Sequence, residues 1–92
     1  MEEYIWETSS EINKALAQRV KKIRKIRKIT QKGLSEKCHV SYGTIKYFEQ
    51  TGNISLSNLT KIAIELGIVN DIKQLFSDIQ YNSIKEVING EK

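Results

Sequence analysis

The chain is expected to be all-α, on three observations. Proline is absent from its 92 residues, and lysine, isoleucine, glutamate and leucine are plentiful. Apolar residues recur at spacings of three and four, while no stretch alternates with period two for long enough to make a strand. Thr8, Thr30, Ser41, Ser55 and Ser83 each stand just ahead of such a stretch. There a hydroxyl can accept a hydrogen bond from the unpaired N–H groups of a first helical turn.

The elements follow in order. Residues 1–10 read as an N-terminal arm, with Tyr4, Ile5 and Trp6 as its apolar positions. Thr8-Ser9-Ser10-Glu11 forms a capping box for a long first helix, expected to reach about Lys28. Ile12, Leu16, Val20 and Ile23 are its expected buried stripe. A second helix is expected from about Gln31 to Cys38, held inward by Leu34 and Cys38. A third runs from about Tyr42 to Glu49, held by Ile45 and Phe48, with Val40 plugging the angle between the two. Ser55 opens a fourth, in which Leu56, Leu59, Ile62, Ala63 and Leu66 are expected to face the core, and Gly67 stops it. A fifth, near Asn70 to Phe76, carries Ile72, Leu75 and Phe76. One domain therefore spans about residues 11–76, and residues 77–92 form a tail. In that tail Ser83-x-x-Glu86 is a second capping box and Ile84, Val87 and Ile88 share a face. A helix that short must pack on its own domain, on a second copy or on a foreign partner, or else stay disordered.

Charge is unevenly spread. Residues 1–11 hold four acids and no base, whereas residues 12–60 hold eleven bases and only Glu36 and Glu49 as acids. Eight bases fall between Lys14 and Lys28 with no acid among them. Such a segment attracts phosphate backbones. No run of eighteen apolar residues is present for a membrane span, and the opening Met-Glu-Glu is not a signal-peptide pattern. A single cysteine suits a reducing, cytoplasmic setting. Cys38 and His39 are each alone of their kind, which leaves too few ligands for zinc and no oriented base for a cysteine nucleophile. No metal, no cofactor and no enzymatic activity are expected.

Two short helices separated by a three-residue turn form the layout of a helix-turn-helix, whose second helix enters the major groove of DNA. The second of the pair turns Tyr42, Gly43, Lys46 and Tyr47 outward, a face with little apolar bulk. Phosphate contacts are expected from Gln31 and Lys32 at the start of the second helix, from Ser41 and Lys46, and from Gln50, Thr51 and Asn53 in the following turn. Arg27 and Lys28, near the end of the basic helix, are expected to approach the duplex too.

The spacing Val20-x-x-Ile23-Arg24, Thr30-Gln31-x-x-Leu34-Ser35, Val40-Ser41-x-x-Thr44-Ile45-x-x-Phe48-Glu49 and Leu56-x-x-Leu59-x-x-Ile62-Ala63-x-x-Leu66-Gly67 resembles the Xre or phage-repressor class of helix-turn-helix proteins. The resemblance covers about residues 16–76. It implies a five-helix, lambda-repressor-like domain that binds double-stranded DNA as a homodimer on an inverted repeat and acts as a repressor. It implies base reading by Tyr42, Gly43, Thr44 and Tyr47, and a structural ion pair between Arg24 and Glu49. It also implies that Gln31 braces the recognition helix. Phe48-Glu49-Gln50-Thr51-Gly52 and Leu66-Gly67-Ile68-Val69-Asn70-Asp71 are most similar to the HipB-like subgroup. That similarity implies an antitoxin that holds a HipA-type kinase toxin and represses its own operon. Two positions depart from the class. His39 stands where glycine is usual, at a turn that favours positive φ, and Gly33 stands where an acid would complete a capping box.

Overall fold

The computed structural model describes residues 7–78. Five helices follow one another: α1 Ser9–Ile26, α2 Gln31–Cys38, α3 Tyr42–Thr51, α4 Leu56–Leu66 and α5 Val69–Lys73. No strand occurs among the described residues, and the all-α, five-helix architecture is the one expected. Residues 1–6 and 79–92 lie outside the described residues, and with them the expected tail helix.

Local chemistry starts the helices where the hydroxyls stand. Thr8 Oγ1 accepts from Glu11 N at 3.1 Å while Glu11 Oε1 accepts from Thr8 N at 3.0 Å, a complete capping box. Thr30, Ser41 and Ser55 accept from Gly33, Thr44 and Asn58 at 2.9, 3.1 and 3.0 Å. Each such cap contributes about 1 kcal/mol. At the opposite ends the chain turns through the left-handed region: Gly52 at φ 85°, Gly67 at φ 76° and, without a glycine, His39 at φ 61°. His39 thus takes the conformation its position demanded. Lys28 does so as well, at φ 59°, which the sequence reading missed. Instead of continuing to Lys28, α1 ends at Ile26, and Ile29 N–H bonds back to the Arg24 carbonyl at 3.1 Å.

α1 packs on α3, α2 on α3 and α4, and α4 on α5. Leu34, Ile45, Phe48, Ile62 and Leu66 are fully enclosed, with Ala17, Val20, Cys38 and Val40 completing the core. The buried stripe of α1 differs from the expected one. Ala17, Val20 and Arg24 are buried and Ile23 is half-buried, while Ile12 and Leu16 are exposed. A small residue and a charged one occupy the crossing with α3, and neither registers in an apolar pattern. Leu56, at the first position of α4, is 68% exposed rather than in the core. Leu75 and Phe76 lie past the end of α5, which stops at Lys73, and both are exposed.

The crossing of α1 and α3 is fixed by a buried polar cluster. Arg24 is 6% and Glu49 3% exposed. Arg24 Nε donates to Glu49 Oε2 at 2.7 Å and Nη2 to Oε1 at 3.0 Å, a bidentate pair, while Nη1 donates to the Ile29 carbonyl at 2.8 Å. Gln31 Nε2 donates to Glu49 Oε1 at 2.8 Å, and Gln18 Nε2 donates to the Glu49 carbonyl at 2.8 Å. Arg24 and Glu49 thus form a buried ion pair, and Gln31 braces α3 through its bond to Glu49.

Just beyond α3 the chain meets the backbone of α1. A Cβ on Gly52 would stand 2.6 Å from the Asn13 carbonyl carbon and 2.7 Å from Lys14 N. Gly43, in contrast, has nothing within 4 Å of a Cβ. Gly52→Ala is therefore expected to destabilise by at least about 2 kcal/mol, combining backbone overlap with a left-handed φ. Gly43→Ala is expected to stabilise by about 0.5 kcal/mol; urea unfolding of both variants checks the contrast. Arg24→Ala should cost about 3 kcal/mol by leaving Glu49 buried without its partner. Arg24→Lys should restore little, since an ammonium cannot make the fork. A double-mutant cycle between Arg24 and Glu49 that returns no coupling energy would contradict this account.

Candidate nucleic-acid interface

α3 is set so that one side faces the core and the other faces solvent. Ile45, Phe48 and Glu49 are buried, and Gly43, Lys46, Tyr47 and Gln50, on the far side of a 3.6-residue turn, are outward. Tyr42 lies at the margin between the two sides and is still 43% exposed. Tyr47 is 54% exposed. Lys46 places a cation beside the two phenols on this surface.

The start of α3 and the start of α4 meet across an open groove. Ser41, Gly43, Thr44 and Tyr47 line one side, and Asn53, Ile54 and Ser55 the other. Two capped helix N-termini thus border the same surface, each presenting the N–H groups that favour an anion. Asn53 Nδ2 donates to the Tyr47 hydroxyl at 3.5 Å, a long contact that links the turn to the helix face.

Several of the expected contact groups are already engaged. Ser41 Oγ accepts from Thr44 N and also pairs with Thr44 Oγ1 at 2.7 Å. Thr51 Oγ1 donates to the Tyr47 carbonyl at 2.7 Å and accepts from Asn53 N at 3.1 Å, so this hydroxyl shapes the turn. Gln31 has one amide hydrogen on Glu49 and is half-buried at the first position of α2. Lys32, in the same turn of α2, is exposed, as is Gln50.

Arg27 and Lys28 are not brought to this groove by any contact. The Arg27 guanidinium lies against Gly67, its Nη2 3.5 Å from where a Cβ of that glycine would stand. Gly67 closes the C-terminal end of α4, about 18 Å along the helix from Ser55. Its charge there suits the carbonyl end of the helix dipole. Lys28 is exposed in the reversal between α1 and α2.

Two features of this surface escaped the sequence reading. Ser55 reads from sequence only as a cap, yet it lines the groove; its place directly after Asn53-Ile54 is the available signal. The backbone of Asn13 and Lys14 abuts the α3–α4 turn at Gly52, so the first half of α1, not its C-terminal end, supports that turn. Nothing in the residue pattern marks that contact.

No described helix is long and apolar enough to cross a membrane. No curated protein sequence matches the chain. The helix-turn-helix family profile matches residues 20–70, more than half of the chain, from within α1 to α5. With this match, and with α2 and α3 in the geometry just described, the chain belongs to the Xre-type helix-turn-helix family of DNA-binding regulators.

Proposed function

We propose that the protein is a sequence-specific repressor that binds an inverted-repeat operator as a two-fold dimer, with α3 in the major groove. The observation that carries this reading is the outward face of α3. Two exposed phenols and a lysine flank a position with no side chain, and a second helix N-terminus borders the same groove. A major groove about 12 Å wide admits one helix with its side chains. Tyr42, Thr44 and Tyr47 are assigned to base edges, through hydroxyl contacts or ring packing on thymine methyls. Gly43 lets the backbone come close and leaves one base unread. Gln31, Lys32, Ser41, Lys46, Gln50, Thr51 and Asn53 are assigned to phosphates, where they set register without reading sequence. The basic outer face of α1, including Arg19, Lys22 and Lys25, adds long-range attraction.

The symmetry has a geometric consequence. Two copies reading half-sites one helical turn apart place their recognition helices about 34 Å from each other. A second reading, that the protein also serves as a HipB-like antitoxin holding a kinase toxin, is supported by the resemblance of Phe48–Gly52 and of Leu66–Asp71. Co-purification of a kinase-like protein with the tagged chain tests it.

Selection of bound sites from random duplexes, followed by titration at several salt concentrations, tests the main reading. A palindromic site is expected, with affinity that falls steeply with salt. Tyr47→Ala should flatten the preference at one position in each half-site, a loss of about 1–3 kcal/mol against the correct base. Lys46→Ala should weaken all duplexes alike and lower the salt slope by about 1. Recovery of no preferred site would overturn the assignment.

A further inference from the structure

An apolar groove of about 260 Å3 opens between α1, α4 and α5. Leu16, Ile23, Leu59, Ile62, Ile72 and Leu75 form much of its wall. Arg19 and Asp71 are the charged residues that line it. α3 contributes nothing to this groove, so an occupant would leave the outward face of α3 free. Leu16 at 40% and Leu75 at 54% exposure show that the lips stay in water among the described residues.

We propose that residues 79–92 of the same chain fill this groove as a short amphipathic helix. Three observations name that occupant. The chain leaves the described region at Asp78, three residues beyond Leu75, which is itself part of the wall. The segment that follows has Ser83 as a cap, Glu86 three residues on, and Gly90 as a stop. Between them Ile84, Val87 and Ile88 share one face, while Lys85, Glu86 and Asn89 share the other. An isolated helix of that length does not form in water, so its pattern requires a surface.

Reach and concentration favour the same chain over a second copy. Ile84 lies nine positions after Leu75, an extended reach of about 30 Å. The wall from Leu16 to Ile23 is about 10 Å long on α1. A tether of this kind gives an effective concentration on the order of millimolar, which exceeds that of a free partner at micromolar concentration by about a thousandfold. The inference does not rest on base reading, and each stands if the other fails.

Paramagnetic broadening in the full chain tests it. A nitroxide is placed through Asn89→Cys on the outward face, with Cys38 shielded in the core. The methyl groups of isoleucine and leucine are isotopically labelled. The expected result is loss of the Leu16, Ile72 and Leu75 methyl signals when spin label and isotope are on one chain. When they are on different chains mixed in equal amounts, those signals should persist. Loss in the mixed sample would assign the groove to a second copy and overturn the proposal. Persistence in both samples would also overturn it. Adding Ile84→Asp and Ile88→Asp to the labelled chain should bring the groove signals back while the Leu34 and Ile45 core signals stay in place. Continued loss in that variant would show that the apolar face is not what docks.

Discussion

A single carboxylate organises this domain. Glu49 is removed from water between α1 and α3, where an unmatched charge would be intolerable. Three donors from two elements converge on its oxygens, and a fourth, from Gln18, holds its carbonyl. The Coulomb gain of such a pair is largely offset by desolvation, so the cluster contributes more to arrangement than to net stability. With Glu49 turned in, the rotation of α3 about its own axis is set, and Gly43, Lys46 and Tyr47 must face outward. The orientation of the exposed face is thus decided on the opposite side of the same helix.

Much of this was legible along the chain, because caps and apolar pairs are local. Thr30, Ser41 and Ser55 each start a helix with the hydrogen bond their side chain implies, and Leu34, Ile45, Phe48 and Leu66 lie where three- and four-residue spacing puts them. The Arg24–Glu49 pair came from resemblance, since no local rule joins residues 25 apart. What remained hidden was tertiary. The buried side of α1 centres on Ala17 and Arg24, and a hydropathy pattern ranks neither as core. Gly52 read as an ordinary turn glycine, yet its second reason for being glycine is the α1 backbone lying against it. Arg27 reads as a phosphate ligand from its position in a basic run, and its guanidinium lies against Gly67 at the end of α4, a contact that no local pattern marks.

The polar groups around the α3–α4 groove are held before any ligand arrives. Ser41 and Thr44 share a hydrogen bond, and Thr51 bridges the Tyr47 carbonyl and the Asn53 amide. Side chains ordered in advance lose less freedom on binding, which favours a sharp preference over a loose one. The same bonds make Ser41 and Thr44 a coupled pair: a hydroxyl that turns away alters what its neighbour can offer.

The vacancy at Gly43 separates two properties that most surface helices tie together. Its Cβ direction points into open space, whereas the neighbouring Ile45, Phe48 and Glu49 are locked by packing and charge. A side chain can therefore start from this position without displacing the domain behind it. A change of this one codon therefore redraws the outward surface of α3, with the rest of the molecule indifferent to the exchange.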